Sequence, residues 1–367
     1  MFRPWTRYSV QRNAAFALAL VALPAAALAQ HYTQTNLVSD LAGATTLDTH
    51  LVNPWGMSRS SGSPWWISDN GTGLSTLYDG AGVTQGLVVT IPPADAANGT
   101  GTPTGTVFNG TTDFTLATSK PAVFLFVTED GTLSGWNPGV QPTTAVIKVN
   151  THSKSVFKGM TMASATLTTG PANLLYVADF RKGRVQVYDT NFMPVRVGED
   201  AFQDESIPSG YAPFNIQNIG GDLYVAFAQQ DSAKHDEVDG PGLGYVDVFS
   251  PNGRLLRRME HGSWFNGPWA MVLGSGDFGI HSHDLLVGQF GSGEILAFDP
   301  VTGKFKGRLV DSNNQTITNK GLWGLSFGGG GRSGPANTLY FTAGINDEAD
   351  GLLGSITAVE NPQGNDQ

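Results

Sequence analysis

Three carboxylates follow strand-like apolar runs at similar points of the sequence: Asp69, Glu129 and Asp179. Each stands before a glycine turn, so a repeating fold would bring the three to one level of the molecule. Convergent acids repel each other, which raises their pKa values or recruits a cation. The pattern predicts a calcium-type divalent cation site at these three residues, with further oxygen ligands from Asn53, Asn215 or Gln289. The alternative is that each carboxylate accepts hydrogen bonds from the amides of its own turn, a common role for Asp before glycine.

Four aromatic residues begin apolar runs after a step that contains proline or glycine: Trp55, Phe214, Trp269 and Trp323. One interpretation is an aromatic channel mouth that stacks a saccharide or another flat ligand. The other interpretation is packing between repeats, because a repeat buries the same large residue in every unit. The even spacing of the four residues favours packing.

Two other segments carry ionisable residues without completing a recognisable site. Residues 281–284, His-Ser-His-Asp, occupy the place in the repeat that residues 170–173 and 334–337 hold. That place predicts a solvated turn on the face opposite the carboxylates rather than a metal site. The charged insert 231–239 is either a lid or partner loop at the mouth, or a solvated loop.

The composition excludes several kinds of chemistry. The chain has no cysteine, which rules out disulfides, thiolate catalysis and cysteine-bound metals. No G-x-S-x-G elbow, H-E-x-x-H motif or phosphate-binding loop occurs in the sequence. The formal net charge is −10, which argues against nucleic acid as a partner, because such binding needs a positive surface. Whether the protein is an enzyme is left open by these residues.

The amino-terminal segment has the character of a secretory signal. Arg3, Arg7 and Arg12 precede an apolar run over residues 14–29, which ends in the small-x-small triplet 27–29. This pattern predicts a signal peptide over residues 1–29 and an exported protein, periplasmic or secreted. An uncleaved anchor is the alternative, but the run is short for a bilayer span. We expect no membrane span after cleavage.

The elements that would position these residues are short strands in a repeat of about 54 residues. The aromatic markers stand at 55, 214, 269 and 323, so the last two intervals are 55 and 54 residues and the first, 159, equals three periods. Degenerate copies are expected near residues 108 and 161. A strand, a glycine turn and a second strand follow each marker, and an aromatic residue precedes the next turn.

Six copies of four strands predict an all-β, six-bladed β-propeller with four-stranded antiparallel blades. The sixth copy stops at the turn near residues 359–362, so its outer strand must come from elsewhere. Residues 32–41 supply a candidate, and we predict a ring closed by this N-terminal strand. The resulting division is a signal peptide over 1–29, one propeller domain over 30–362 and a polar tail over 363–367. Two β-sandwich domains would not explain a marker that recurs every 54 residues.

The repeat resembles an uncharacterised family of exported bacterial propellers, itself similar to NHL-repeat and gluconolactonase-type (SMP-30-like) six-bladed propellers. The resemblance is carried by residues 53–56, 69–73 and 285–299 and extends over nearly all of the chain after the leader. It implies the propeller fold. It also implies that an enzyme of this type would hold a divalent cation at the mouth through Glu, Asn and Asp.

The leading functional hypothesis is a binding or scaffold module that engages a small molecule, a saccharide or a protein at the channel mouth. The alternative is a divalent-cation-dependent lactonase or esterase built on Asp69, Glu129 and Asp179, in which the cation polarises a carbonyl. A quinone-dependent dehydrogenase is disfavoured, because the nearest basic cluster, Arg181, Lys182 and Arg184, sits on a single turn.

Overall fold

Six four-stranded antiparallel sheets follow one another along the chain and surround a central channel. The computed structural model describes residues 1, 2, 4 and 31–359. Within these residues the sheet topology confirms the predicted all-β, six-bladed propeller. In each blade strand A lies innermost, strands B and C follow, and strand D lies outermost.

The strand bounds, from A to D, show how short the elements are. Blades 1 and 2 consist of Pro54–Ser58, Trp65–Asp69, Leu74–Tyr78 and Val89–Thr90, and of Pro103–Phe108, Phe124–Thr128, Thr132–Trp136 and Val146–Asn150. Blades 3 and 4 consist of Phe157–Leu167, Gly170–Asp179, Arg184–Tyr188 and Pro194–Val195, and of Tyr211–Ile219, Asp222–Gln229, Tyr245–Phe249 and Leu255–Arg258. Blades 5 and 6 consist of Pro268–Leu273, Leu285–Gln289, Ile295–Phe298 and Phe305–Arg308, and of Leu322–Phe327, Leu339–Ile345, Asp350–Val359 and His31–Ser39.

A few minor elements complete the described structure. Thr46–Leu47 pairs in parallel with the outer strand of blade 6, and Thr115–Ala117 forms a small hairpin with Lys120–Pro121. Short 3-10 helices span Ala96–Asn98 and Gly279–His281. None of the helices in the described residues has the length and apolar character of a membrane span.

The N-terminal strand closes the ring, as the sequence predicts. His31–Ser39 pairs antiparallel with Asp350–Val359, from His31 opposite Val359 to Ser39 opposite Leu352. The first described strand of the chain thus becomes strand D of the last blade, where it covers the outer edge of strand C. Most of the predicted signal peptide over 1–29, the polar tail over 363–367 and most of the turn at 359–362 lie outside the described residues.

Every blade carries a β-bulge at the start of strand A. In blade 1, Pro54 pairs with Asp69 and the next pair is Met57 with Ile67, so strand A holds one extra residue. The same extra residue recurs in the other five blades. A bulge re-aims side chains out of the regular alternation. We give the name bulge ring to the residue that follows the last pair before the bulge in each blade: Trp55, Thr104, Lys158, Phe214, Trp269 and Trp323. The degenerate copies expected near 108 and 161 are therefore Thr104 and Lys158.

The hydrophobic core lies between neighbouring blades. One cluster joins Leu133 of blade 2 to Met160 and Val177 of blade 3, and similar clusters fill the other inter-blade spaces. Strand B is buried along almost its whole length, because it packs against a blade on each side. Such packing of each repeat only on its neighbours explains why the sequence marker recurs at a constant period.

Candidate functional site at the channel mouth

The four aromatic members of the bulge ring pack against one another across the channel. Trp55 stacks on Trp323 with ring centroids 3.5 Å apart, and Trp269 meets Trp323 edge-on at 5.7 Å. Phe214 also lies edge-on to Trp323, at 5.8 Å. All four side chains are buried. They form an aromatic floor below the mouth, which favours the packing interpretation over ligand stacking.

Lys158 takes the position in the bulge ring that tryptophan takes in three other blades. Its side chain is 1% exposed, and its Nζ lies 4.9 Å from the ring centroid of Trp55. The ammonium pairs with Glu129 Oε1 at 2.6 Å and with Asp236 Oδ1 at 3.0 Å. Burial alone would lower the pKa of Lys158, but Glu129, Glu237 and Asp236 outweigh burial and raise the pKa above its usual value. Lys158 is therefore a permanently charged group at the centre of the mouth.

Glu129 is not at the same level as the other two predicted carboxylates. Asp69 and Asp179 pair with the first residue of strand A in their blades, whereas in blade 2 that partner is Thr128. Glu129 therefore lies one residue further along the chain, beyond the end of strand B. The sequence analysis matched Glu129 to Asp69 and Asp179, but the residue at their position in blade 2 is Thr128. Both Thr128 and Glu129 precede the same glycine turn, so the pattern alone does not distinguish them. This shift frees Glu129 to reach Lys158 of the next blade.

Asp69 is engaged inside its own blade. One of its carboxylate oxygens accepts hydrogen bonds from Thr76 N at 3.0 Å and Thr76 Oγ1 at 2.8 Å. The residue is fully buried, and burial raises its pKa well above the usual range despite these bonds. Its side chain therefore joins strand B to strand C of its own blade, through Thr76 inside strand C rather than through the amides of the turn.

Asp179 is bound to its own turn. It accepts a hydrogen bond from Lys182 N at 3.3 Å and lies 3.5 Å from Lys182 Nζ. Burial raises its pKa, while Ser155 and Lys182 act in the opposite direction. Asp69, Glu129 and Asp179 do not form one group of ligand atoms in the described structure. The cation site at these three residues remains a prediction without a shared cavity to support it.

The amide oxygens predicted as further ligands are already occupied. Asn53 Oδ1 accepts from Trp323 Nε1 at 3.0 Å, Asn215 Oδ1 from Ile216 N at 2.8 Å, and Gln289 Oε1 from Asn266 N at 2.9 Å. Each side chain therefore joins strand A or the loop before it to a neighbouring element. A cation bound by these oxygens would have to compete with those donors.

Asn53 links blade 6 to blade 1 at the mouth. Its Nδ2 donates to Glu348 Oε2 at 2.6 Å and approaches Asn70 Oδ1 at 3.4 Å, and Asn70 Nδ2 donates to Glu129 Oε2 at 2.9 Å. The polar chain continues through Glu129 to Lys158. Asn53 has a positive φ of 46°, a strained conformation that Asn tolerates better than most residues.

A strained turn presents Glu348 to the mouth. Asn346, Asp347 and Glu348 have φ values of 55°, 54° and 66°, so three consecutive non-glycine residues adopt the left-handed conformation. L-residues normally adopt it singly, at a cost of roughly 1–2 kcal/mol each. Such strain persists where the surroundings hold it, and it concentrates at functional sites. The hydrogen bond from Asn53 to Glu348 ties this turn to blade 1, and the bond from Asn346 Nδ2 to Asp350 closes the turn itself.

The charged insert of blade 4 reaches the channel axis. Asp231 accepts a hydrogen bond from His235 N at 2.8 Å, which folds the insert into a compact turn. Asp236 then pairs with Lys158, and His235 Nδ1 lies 2.9 Å from Asp236 Oδ1. The insert therefore contacts the mouth through Asp236, while most of its residues, Asp236 included, are exposed to solvent.

The carboxylates around Lys158 differ widely in acidity. Burial raises the pKa of Glu237 to about 8, and burial raises that of Asp239 to about 6. Burial also raises the pKa of Glu348, and the nearby negative charge of Glu129 raises that pKa further. Asp236 behaves in the opposite way, because its hydrogen bond with His235 and its contact with Lys158 lower its pKa. Carboxyl groups whose pKa values are driven apart in one cleft are typical of functional sites.

We define the mouth cluster as these residues: Asn53, Asn70, Glu129, Lys158, His235, Asp236, Glu237, Asp239 and Glu348. Sequence reasoning identified Asn53, Glu129 and the insert but missed Lys158 and Glu348. A lysine at the position of the aromatic marker in blade 3 is the signal that would have revealed Lys158. Glu348 has no such signal, because its place depends on the strained turn.

One group within the mouth cluster has the spacing of metal ligands. Ligand atoms of Glu129, His235 and Asp236 all lie within 4.8 Å of one another. However, Glu129 Oε1 and Asp236 Oδ1 are the oxygens that bind the Lys158 ammonium. A divalent cation at that point would adjoin a buried positive charge, so these residues do not fit a resident metal unless Lys158 moves away.

The turn at residues 281–284 is only partly solvated: His283 is exposed, but the two residues that bound the turn are not, which corrects the sequence interpretation. His281 and Asp284 are both buried, and His281 Nδ1 lies 2.9 Å from Asp284 Oδ2. Asp284 Oδ1 also accepts from Lys306 Nζ at 2.6 Å, and Tyr32 of the closing strand stacks on His281. The N-terminal strand covers this turn, which sequence-local reasoning could not take into account.

Comparison with other proteins identifies sequence relatives and shared folds. An uncharacterized protein of Acanthamoeba polyphaga mimivirus is 31% identical over 85% of this chain and 76% of its own length. A second uncharacterized mimivirus protein is 32% identical over 85% of this chain and 82% of its own length. No family model matches the chain.

Three solved structures share the propeller fold at low identity. Virginiamycin B lyase from Staphylococcus aureus has a TM-score of 0.50 at 10% identity, covering 89% of this chain and 99% of that one. A streptogramin B lyase has a TM-score of 0.51 at 10% identity, covering 89% and 98%. A glucose dehydrogenase has a TM-score of 0.50 at 14% identity, covering 89% and 100%. At these identities the likeness extends to the fold alone.

Proposed function

We propose that this chain, which belongs to the family of the two mimivirus proteins, is a binding module. Its channel mouth would hold a small molecule through a cationic group of that molecule. The observation that carries the proposal is an excess of carboxylates at one point. Four acids of the mouth cluster, Glu129, Asp236, Glu237 and Glu348, interact with a single ammonium, that of Lys158, and Asp239 adjoins Glu237. A cationic ligand would balance this excess.

The raised pKa of Glu237 is a second sign of the excess of carboxylates at the mouth. Glu237 is hard to ionise because burial outweighs the attraction of Lys158 for its charge. A ligand ammonium placed beside Glu237 would favour its ionised form and form charge-assisted hydrogen bonds. Saccharides and proteins remain alternative ligands of the mouth, but neither would relieve the carboxylate excess unless it carried a positive charge.

The second candidate is a divalent-cation-dependent lactonase or esterase. The observation in its favour is the spacing of Glu129, His235 and Asp236, which suits three ligands of one ion. In that case Lys158 would have to leave the two oxygens that it now binds. A thermal melt with calcium, magnesium or zinc tests this candidate, since a bound ion raises the melting temperature and a chelator reverses the rise.

We also propose that the protein acts outside the cytoplasm, as an exported propeller of the NHL or gluconolactonase type. The support is the signal-like pattern over residues 1–29 and the repeat pattern of the sequence. Mass spectrometry of the protein recovered from a secreting host tests this point. We expect a mature N-terminus at Gln30, and a protein that retains residue 1 would contradict it.

Calorimetric titration with 1,4-diaminobutane tests the binding proposal. Because the cation favours ionised Glu237, binding below pH 8 must release a proton. The affinity should therefore rise with pH by up to about tenfold per unit between pH 6 and pH 8, and level off above. Repeating the titration in buffers with different ionisation enthalpies counts the released protons directly.

Two variants give the control. Glu237→Gln should flatten the pH dependence and weaken binding, whereas Glu205→Gln, an exposed acid of the outer surface, should change neither. Equal affinity for the diamine and for a neutral saccharide would contradict the proposal. So would diamine binding that is independent of pH and unchanged in Glu237→Gln.

A further inference from the structure

The outer side of blade 3 contains a partly unpaired strand edge. Strand C spans Arg184–Tyr188, but strand D spans only Pro194–Val195. The two strands pair only at Val187 with Val195 and at Tyr188 with Pro194. Residues 184–186 therefore have no partner strand on their outer side in the described structure. An open edge of this kind is a template for another extended chain.

After Val195 the chain leaves the sheet and forms an arch. Phe202 fixes its far end, since it is buried and packs on Tyr176 of blade 3 and Phe249 of blade 4. Just beyond, Asp204 pairs with Arg258 of blade 4. A cavity of about 410 Å³ lies between the arch and the edge of strand C. The cavity is thus bounded on one side by strand C and on the other by the arch, whose far end is held by Phe202 and Asp204.

From this geometry we propose that the cavity is a docking slot for an extended peptide of a partner protein, with side chains that alternate between apolar and carboxylate. The peptide adds as a strand to residues 184–186, an edge about 10 Å long at 3.3 Å per residue. This slot is separate from the channel mouth, so the proposal does not depend on the proposed function.

The alternation follows from the two faces of strand C. Val185 and Val187 face the hydrophobic cluster between blades 3 and 4, together with Val195 and Val197 of the arch. Arg184 and Gln186 face the other way. In paired strands, residues opposite each other share a face. Peptide residues opposite the valines therefore meet an apolar wall, and those opposite Arg184 and Gln186 meet polar groups.

The charges around the slot set the chemistry of the polar positions. Arg184 and Arg196 line the cavity, both are exposed, and neither forms an ion pair within the described residues. Glu199 of the arch is the one acid that lines it. In a protein with a formal net charge of −10, two unpaired arginines beside an open edge favour carboxylates on the incoming strand.

The test is a titration of the whole chain with an acetylated, amidated hexapeptide that alternates valine and glutamate. We expect saturable binding and slower amide hydrogen exchange confined to residues 184–187. A hexapeptide of the same composition, with three valines followed by three glutamates, should bind at least about tenfold more weakly, because only alternation satisfies both faces. An alternating valine–lysine peptide should show the same loss.

Charge reversal in the slot gives a second, independent readout. The double variant Arg184→Glu/Arg196→Glu should weaken binding by about tenfold or more at low salt, whereas Lys120→Glu, on an exposed hairpin of blade 2, should not. The proposal is overturned if the alternating peptide fails to bind at millimolar concentration, or if blocked and alternating peptides bind equally. Protection elsewhere on the propeller, or a dimer in sedimentation velocity that the double variant abolishes, would also overturn it.

Discussion

At the residue scale, one position of the repeat carries a buried charge in place of an aromatic or small residue. Five positions of the bulge ring hold Trp, Phe or Thr, and the sixth holds Lys158. The Lys158 ammonium lies over Trp55 of blade 1 and pairs with Glu129 of blade 2 and Asp236 of the blade 4 insert. Its nitrogen therefore contacts three other blades. A buried charge of this kind persists only because several acids compensate it.

Replacement of Lys158 by methionine tests this arrangement. The change keeps the side chain's bulk but leaves Glu129, which is only 12% exposed, without its cationic partner. We expect the free energy of unfolding to fall by about 3 kcal/mol, as for a buried pair that loses one member. Urea denaturation provides the measurement.

The double variant Lys158→Met/Glu129→Gln is the control for that experiment. Removing both charges should recover part of the lost stability, because no uncompensated carboxylate remains. A loss below about 0.5 kcal/mol in the single variant, or no recovery in the double one, would show that the pair does not stabilise the mouth.

At the element scale, the inner strands approach each other more closely than side chains would allow. Gly56 follows the bulge residue of blade 1, and a Cβ added there would lie 2.4 Å from the Thr104 carbonyl oxygen of blade 2. Gly105 and Gly324 are confined in the same way by the backbone of a neighbouring blade or strand. Small residues at this level therefore set the radius of the ring, and with it the distances across the mouth.

The variant Gly56→Ala should accordingly destabilise the propeller by about 1–3 kcal/mol, the usual cost of an overpacked site. Gly86→Ala is the matched change, since a Cβ at Gly86 meets nothing within 4 Å. Thermal melts of both variants decide the matter. Equal melting temperatures would mean that the inner strands can move apart without cost.

At the scale of the whole molecule, closure of the ring depends on one strand from the opposite end of the chain. Tyr32 of that strand is buried, stacks on Phe278 at 4.7 Å and donates its hydroxyl to the Phe278 carbonyl oxygen at 3.0 Å. The strand thus secures the turn of blade 5 as well as the sheet of blade 6. Long-range pairing of this kind joins the first and last blades into one cooperative unit.

We expect Tyr32→Ala to lower the free energy of unfolding by about 3–5 kcal/mol, as large aromatic-to-alanine changes in a core do. Leu47→Ala, at a residue that is 63% exposed, should have little effect. Chemical denaturation followed by tryptophan fluorescence measures both. A Tyr32→Ala protein as stable as the parent would show that closure does not limit the stability of the ring.

The sequence by itself determined the repeat, the number of blades and the closing strand. These follow from periodic burial, because each blade packs on its neighbours in the same way and so repeats the same large residue at the same interval. Asp69 and Asp179 were also placed correctly at the ends of their strands. Hydrogen bonding to its own turn, one of the two roles predicted for these acids, is seen for Asp179, whereas Asp69 bonds to strand C.

Only the tertiary structure decided which charged groups meet at the mouth. A shift of one residue at the end of strand B sends Glu129 to Lys158, and a left-handed turn brings Glu348 to Asn53. Burial of His281 likewise depends on Tyr32, some 250 residues away in the chain. These contacts arise from a one-residue shift at the end of one strand, a strained turn and a terminal strand that no periodicity encodes, because each occurs once and its effect depends on which blade lies beside it.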